Sequence, residues 1–106
     1  MPEIAYLNQL ATLHAAAWPA NAPRAPHYPH GQQPLSEYLR AWAIEQPDRP
    51  ALDFYGHSIT WAELDRLSDR CAALLDELGV KAGDRVAVFM PNCPQLHIAF
   101  YGILKC

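Results

Sequence analysis

The chain has 106 residues, of which 51% are hydrophobic and 18% are charged, and its formal net charge at pH 7 is −3. This charge excludes binding to nucleic acid or to an anionic membrane driven by a basic excess. The apolar fraction is too high for a disordered chain, and no apolar run is long enough for a transmembrane segment.

The cysteines and the N-terminal residues predict a cytoplasmic protein. Cys71, Cys93 and Cys106 match neither a CxxC pair nor a dense disulfide framework, so we expect three reduced, buried thiols. No Lys or Arg precedes Arg24, and a basic region is a feature of secretory signals and transit peptides. We therefore expect neither kind of targeting segment.

The first third of the chain predicts a helix followed by an extended strap. Apolar residues recur at three- and four-residue spacing over 3–17, which predicts a weakly amphipathic helix. Five prolines lie within 19–34, and proline disfavours helix in the residue before it, so this strap is expected to be extended along a larger body. We interpret the histidines of this region as packed or surface side chains rather than metal ligands: His14, His27 and His30.

A second helix and a β-hairpin are predicted next. Residues 35–46 carry an apolar stripe at helical spacing, and two prolines just beyond them end the helix. Residues 51–55 and 58–60 predict the two strands of a hairpin. Gly56 and His57 would then be its central turn residues, with the glycine supplying the positive φ of a type II′ turn.

The sequence from Thr60 to Glu63 is a capping box, in which the two side chains satisfy backbone amides of the first helical turn. The third helix is predicted to run to about Leu78, where Gly79 supplies a left-handed terminating residue. Four carboxylates are assigned to its solvent face rather than to acid–base chemistry: Asp65, Asp69, Asp76 and Glu77.

The last part of the chain predicts a strand and a helix that are both buried. Val86–Met90 is a continuous apolar run, typical of a strand covered on both faces, and the helix from Pro94 is apolar nearly all round. Asp84 is expected to shape the preceding turn by local hydrogen bonds. Asn92 is interpreted as a helix cap, or as a residue at the mouth of a site, since ligands bind at strand ends in open α/β sheets.

The predicted order is helix, β-hairpin, helix, buried strand and buried helix, which is an α/β pattern. A strand and a helix buried on every side need more layers than 106 residues supply. We therefore expect a partial N-terminal subdomain of a larger α/β protein. Residues 1–33 would be its helix and proline-rich strap, and residues 34–106 the start of a large domain truncated at residue 106.

No catalytic, cofactor-binding or metal-binding residue is predicted. The five glycines are isolated, so neither a GxGxxG motif nor a P-loop is present, and GxSxG and HExxH motifs are also missing from the sequence. A catalytic thiol needs a base beside it, and none adjoins the three cysteines in the sequence.

Several segments together resemble the opening of the adenylate-forming (AMP-binding) acyl-CoA synthetase superfamily, in its order and spacing. Those common to the superfamily are PDRPAL at 47–52, ITWAEL at 59–64, LGV at 78–80 and GDRVAVFMPN at 83–92. Those that look most like the long-chain fatty-acid–CoA ligase branch are YPHG at 28–31, PLSEY at 34–38 and HIAFYGILK at 97–105.

The resemblance implies a two-step reaction for a longer parent protein. ATP and a carboxylate would form an acyl-adenylate and pyrophosphate, with Mg²⁺ balancing the phosphates, and coenzyme A would then displace AMP. The family's phosphate loop, ribose-binding aspartate, hinge and mobile-domain lysine have no matching positions in these residues. The chain alone is therefore predicted to be an inactive scaffold that binds no cofactor.

The partners that the resemblance implies are the remainder of the parent chain and, in that parent, a fatty acid, with a homodimer as one possible assembly. Two other readings stay open. The chain could instead be a fragment of an amino-acid or aryl-acid adenylating enzyme. It could also be a non-enzymatic module that binds through its proline-rich strap, where two PxxP spacings suit an SH3-type groove.

Overall fold

A computed structural model describes residues 2–106, which form four α-helices and one two-stranded antiparallel sheet. Their order is α1 (Pro2–Ala17), α2 (Leu35–Glu45), β1 (Pro50–Phe54), β2 (His57–Thr60), α3 (Trp61–Glu77) and α4 (Pro94–Lys105). Helices α2, α3 and α4 pack on one another, and the hairpin contacts α3. Mixed helices and a small sheet in this order confirm a partial α/β subdomain. None of these helices has the length and apolarity needed to cross a membrane.

A small core forms where α2, the hairpin and α3 meet. Its buried apolar side chains are Leu39 from α2, Ile59 from β2 and Leu64 from α3. Half-buried apolar residues of the hairpin, α3 and α4 pack around them. Full burial of one such side chain stabilises a fold by roughly 1.5–3 kcal/mol. The core therefore holds α2, the two hairpin strands and α3 together with only three fully buried apolar side chains.

The hairpin turn lies one residue earlier than predicted. Phe54 and His57 form the last pair of the ladder, so Tyr55 and Gly56 are the central turn residues. Their φ values are 50° and 80°, and positive φ at both positions is the type I′ pattern. The predicted type II′ turn is wrong because it needs only one left-handed residue, whereas here a tyrosine also adopts that conformation.

Both predicted ends of α3 are confirmed. The Thr60 hydroxyl accepts a hydrogen bond from the Glu63 amide at 3.1 Å, and the Glu63 carboxylate accepts one from the Thr60 amide at 3.3 Å. At the other end Gly79 has a φ of 92°. Its N–H donates to the carbonyl of Asp76, and the next N–H donates to the carbonyl of Leu75, which together form a Schellman motif.

The predicted strand at Val86–Met90 is not a strand in the described structure. These residues join no ladder, and Phe89 is fully exposed. A strand needs a neighbour for its N–H and C=O groups, and β1 and β2 pair only with each other. The apolar run is therefore an irregular extended segment lying between α3 and α4.

Two helices expose apolar side chains. Helix α4, predicted to be apolar nearly all round and to need more layers than these residues supply, buries Gly102 but leaves Phe100 and Leu104 exposed. The predicted N-terminal helix is present as α1, yet none of its described side chains is buried. Helix α4 packs against α3 and α2, and the described residues do not cover its remaining face.

Candidate functional site

Charged side chains from three helices meet near the end of α4. Lys105 Nζ donates to Asp65 Oδ1 at 2.5 Å, to Asp69 Oδ1 at 2.8 Å and to the main-chain oxygen of Asp65 at 3.1 Å. The Lys105 side chain is only 8% exposed and that of Asp65 20%. The prediction that Asp65 faces solvent is therefore wrong, because α4 covers this side chain. Asp69 lies at the edge of the same contact and is half exposed.

Arg40 of α2 completes this charge cluster. Its Nη2 donates to Asp69 Oδ1 at 3.0 Å, and its Nε lies 3.8 Å from Asp65 Oδ1. All three donors of Lys105 have acceptors, and two cations balance two carboxylates. The cluster therefore joins α2, α3 and α4 and holds no spare donor on Lys105 for a substrate. Asp76 and Glu77, at the far end of α3, are exposed as predicted.

Helices α3 and α4 approach closely beside this cluster. A Cβ at Gly102 would lie 2.7 Å from both Cβ and Sγ of Cys71, so only glycine fits there. Ser68 is fully buried at the same contact, and its hydroxyl donates to the Asp65 carbonyl at 2.8 Å. Sequence reasoning missed Ser68 as a core residue, although its position on the α3 stripe between Leu64 and Cys71 was a usable signal.

The proline-rich strap is attached to α2 through His30. Nε2 of His30 lies 2.6 Å from Glu45 Oε1, and its ring makes edge-on contacts with Tyr38 and Trp42. The Tyr38 hydroxyl donates to the Gly31 carbonyl at 2.6 Å. The sequence predicted that the strap lies along the surface of a larger body. At the His30 end the strap does lie on a surface, and that surface is helix α2 of the same chain.

The three N-terminal histidines do not form one site. His14 stacks edge-on against Trp18, with ring centroids 5.1 Å apart, while His27 is exposed and His30 contacts α2. Over residues 2–106 no group of three or more His, Cys, Asp or Glu side chains could hold a metal ion.

The two polar residues around the apolar run have different roles. The Asp84 carboxylate accepts a hydrogen bond from the Lys81 amide at 2.8 Å, which confirms that it shapes the turn. Cys93, not Asn92, is the N-cap residue of α4, and its side chain makes no capping hydrogen bond. The cap interpretation of Asn92 is therefore wrong, and this residue lies instead at the rim of a cavity.

That cavity of about 180 Å³ lies between the hairpin and the start of α4. Residues 52–54 line one side, and residues 92–94 and His97 line the other. A thiol (Cys93), an imidazole (His97) and a carboxylate (Asp53) thus lie around one space. The sequence predicted no base near any thiol. The available signal was only that Cys93 and His97 lie four residues apart at the start of a helix.

Comparison with known proteins gives the family. A family model described as AMP-binding enzyme matches residues 39–106, well over half of the chain. The chain belongs to the AMP-binding enzyme family. The match includes most of α2 and all of the hairpin, α3 and α4, so the family region contains the core, the charge cluster and the cavity.

The curated relatives of this chain are much longer proteins, of which it spans about a sixth or less. It is 39% identical over 89 residues to the long-chain-fatty-acid–CoA ligase of Bacillus subtilis (strain 168), covering 82% of this chain and 16% of the relative. It is 46% identical over 70 residues to 4-coumarate–CoA ligase 2 of Oryza sativa subsp. japonica, and the match covers 64% of this chain and 12% of that relative. It is 37% identical over 73 residues to triostin synthetase I of Streptomyces triostinicus, and the match covers 69% of this chain and 14% of that relative. No solved structure gives a significant match.

Proposed function

We propose that this chain is the N-terminal part of an ATP-dependent fatty-acyl-CoA synthetase. The 39% identity to a long-chain-fatty-acid–CoA ligase over 82% of the chain carries this proposal. A second fatty-acid ligase, from Salmonella typhimurium, is equally identical over a similar share of the chain. The whole protein would convert a carboxylate and ATP into an acyl-adenylate and pyrophosphate, and then form a thioester with coenzyme A.

The chemical need for this sequence of steps is simple. A carboxylate is a poor electrophile, and adenylation gives it a good leaving group that a thiol can displace. The proposal places no site for ATP, Mg²⁺ or coenzyme A among these residues. Lys105 and Arg40 are both paired with aspartates, and the glycines are isolated. We therefore assign no reaction step to this chain.

The role proposed for these residues is that of a scaffold. Residues 34–106 would begin the large N-terminal domain. In it, the ion pair of Lys105 with Asp65 and the close packing of Gly102 against Cys71 would hold α3 and α4 together. Residues 1–33 would be an arm that precedes it and is attached through His30. A cytoplasmic location for the parent protein is supported by three free cysteines, which are typical of a reducing compartment.

A second candidate is an enzyme that adenylates aryl or amino acids. The identity to 4-coumarate–CoA ligase 2 is 46% over 70 residues, and triostin synthetase I is 37% identical over 73 residues. Because these relatives are about as similar to the chain as the fatty-acid ligases are, the scaffold is compatible with either acid class.

The test combines sequencing of the gene beyond the Cys106 codon with an assay of ATP–pyrophosphate exchange. We expect the reading frame to continue past the Cys106 codon into a segment rich in Gly, Ser and Thr. The full-length product should catalyse ATP–pyrophosphate exchange with a fatty acid, and residues 1–106 alone should catalyse none. Exchange with coumarate or an amino acid instead would support the second candidate. A stop codon after Cys106 in a folded, exchange-inactive protein would overturn both and favour a module that binds through its strap.

A further inference from the structure

We propose that α1 pairs antiparallel with α1 of a second copy of this chain, through a stripe formed by Glu3, Leu7, Leu10 and His14. The starting observation is that the chain does not cover this helix. No described side chain of α1 is buried, and its five large apolar residues are between 42% and 60% exposed. Short helices in water depend on packing for their stability, so α1 needs an apolar neighbour.

The large apolar residues of α1 all lie on one half of its circumference. Successive residues of a helix are rotated by about 100°, which brings these five together: Ile4, Tyr6, Leu7, Leu10 and Leu13. The opposite half carries only small or polar residues: Ala5, Asn8, Gln9, Thr12, Ala15 and Ala16. An apolar half of this width is typical of a helix that packs on another element.

The stripe runs along the middle of this apolar half. Its residues recur at the alternating four- and three-residue spacing of a coiled-coil seam, and they place two leucines between Glu3 and His14. Both polar side chains are exposed, and the His14 ring is held edge-on against Trp18, with centroids 5.1 Å apart. The stripe is acidic at its start and carries an imidazole at its end, so two copies complement each other only when they run in opposite directions.

An antiparallel pair satisfies both kinds of residue in the stripe. Leu7 packs on Leu10 of the second copy, and the Glu3 carboxylate accepts a hydrogen bond from the ring N–H of His14 of that copy. The arrangement is two-fold symmetric, so each contact occurs twice. A parallel pair would instead place the two Glu3 carboxylates opposite each other in the seam, which is unfavourable.

Arg24 of the strap adds positive charge at the end of α1 that would receive Glu3. Its Nη2 donates to the Ala15 carbonyl at 3.4 Å, and Arg24 and His14 line the same cavity of about 220 Å³. The carboxylate of a second copy would therefore meet a guanidinium as well as an imidazole. This charge complementarity favours a second copy as the occupant.

Other occupants match the stripe less well. Helix α1 contains no Lys or Arg, whereas helices that lie on anionic membranes carry basic residues beside their apolar face. Helices α2, α3 and α4 pack on one another rather than on α1. The match to the AMP-binding family begins at residue 39, so the stripe lies outside the region that this match covers.

The experiment measures the dimer dissociation constant of the chain by sedimentation equilibrium. Every sample carries Phe89→Lys, which adds charge to the exposed segment 86–91 and suppresses association through that segment. Two helices of 16 residues form an interface at the small end of the known range, so we expect dissociation in the micromolar range. Helicity measured by circular dichroism should fall on dilution, since an unpaired α1 frays.

Exchanging the two polar residues tests the antiparallel register. Glu3→Lys and His14→Glu should each weaken the dimer about tenfold, because the first removes the acceptor and the second sets two carboxylates opposite each other. The double variant should return to within about threefold of the starting constant. It carries the less favourable charge at both ends of the helix dipole, so a change in helix stability alone cannot produce this recovery.

Matched controls make the same charge changes elsewhere. Glu77→Lys and His27→Glu lie at exposed positions outside α1 and should leave the dissociation constant unchanged. A weakening by these controls as large as that by Glu3→Lys or His14→Glu would show that net charge, not the stripe, governs association.

Leu10→Asn tests the apolar part of the stripe and should raise the dissociation constant about thirtyfold or more. Thr12→Asn introduces the same side chain on the opposite face of α1 and should change the constant less than about twofold. Equal constants for these two variants, or a double variant of Glu3 and His14 that does not recover, would overturn the proposal. A chain with Phe89→Lys that stays monomeric at high concentration would overturn it as well.

Discussion

Gly102 allows α3 and α4 to touch, because the Cβ of any other residue would lie 2.7 Å from Cys71. Ser68, fully buried on α3, is the second small residue at this contact. Real Cβ atoms do not approach a neighbour that closely, so a larger residue at position 102 must push the helices apart.

Gly102→Ala is expected to destabilise the chain. Overpacking costs about 1–3 kcal/mol, and the higher helix propensity of alanine offsets up to about 1 kcal/mol of that cost. The free energy of unfolding, measured by urea denaturation, should therefore fall by up to about 2 kcal/mol, rather than rise by the roughly 1 kcal/mol that helix propensity alone would give. Gln95→Ala on an exposed position of α4 is the control and should leave stability nearly unchanged. A gain of about 1 kcal/mol in Gly102→Ala, the effect of helix propensity alone, would mean that the helices are not in contact there.

Tyr55, unlike Gly102, is a residue whose identity conflicts with its position. Its φ of 50° is left-handed, and its side chain is 94% exposed. A non-glycine residue in this region costs roughly 1–2 kcal/mol, and asparagine tolerates it best.

Tyr55→Asn is expected to stabilise the hairpin by about 0.5 kcal/mol, because asparagine suits the first position of a type I′ turn. The gain is smaller than the backbone strain because the edge-on contact of Tyr55 with Phe54 is lost. Tyr55→Val should destabilise it, since a β-branched side chain resists positive φ. Thermal unfolding of the two variants checks this prediction, and the same shift in both would contradict the type I′ assignment.

At the scale of elements, one lysine links the three packed helices. Lys105 reaches from α4 to two aspartates of α3, and Arg40 reaches the same aspartates from α2. The two cations differ in burial, since the Lys105 side chain is 8% exposed and that of Arg40 is 48% exposed. Their contributions to stability should differ accordingly.

Lys105→Met is expected to lower the free energy of unfolding by about 3 kcal/mol, because it leaves Asp65 partly buried without its partner. Arg40→Ala should cost less than about 1 kcal/mol, and that cost should shrink at high salt. Urea denaturation at low and high NaCl distinguishes the two variants. Equal losses in both would show that burial does not govern this cluster.

For the whole molecule, the exposed apolar surface is the dominant feature. The three buried apolar side chains of the core are outnumbered by the large hydrophobic residues left exposed on α1, α4 and the segment 86–91. That segment also carries backbone groups outside any ladder, which another extended chain could pair with. We therefore expect residues 1–106 to self-associate when produced alone.

Phe89→Lys should reduce this association without changing the unfolding free energy, since Phe89 is fully exposed and packs on nothing. Sedimentation velocity across a range of concentrations provides the measurement. Ile44→Lys is the control, because Ile44 is an isolated exposed residue on α2. If both variants lower association equally, added charge rather than the extended segment is responsible.

Local chemistry made several features predictable from the sequence. The limits of α3 follow from a capping box and a terminating glycine, both of which depend on neighbours within a few residues. The turn at Asp84 and the helices α1 and α2 were also predictable, because they too depend on residues close in the sequence. The family assignment also follows from ordered motifs that do not depend on packing.

Features that depend on distant residues were decided only by the tertiary structure. Asp65 lies on a face that periodicity assigns to solvent, and it is covered because α4 brings Lys105 to it across forty positions of sequence. The run Val86–Met90 has the composition of a strand, but a strand exists only where a neighbour pairs with it. Cys93 directly precedes the helix that carries His97, yet their cavity exists because the hairpin brings residues 52–54 against the start of that helix.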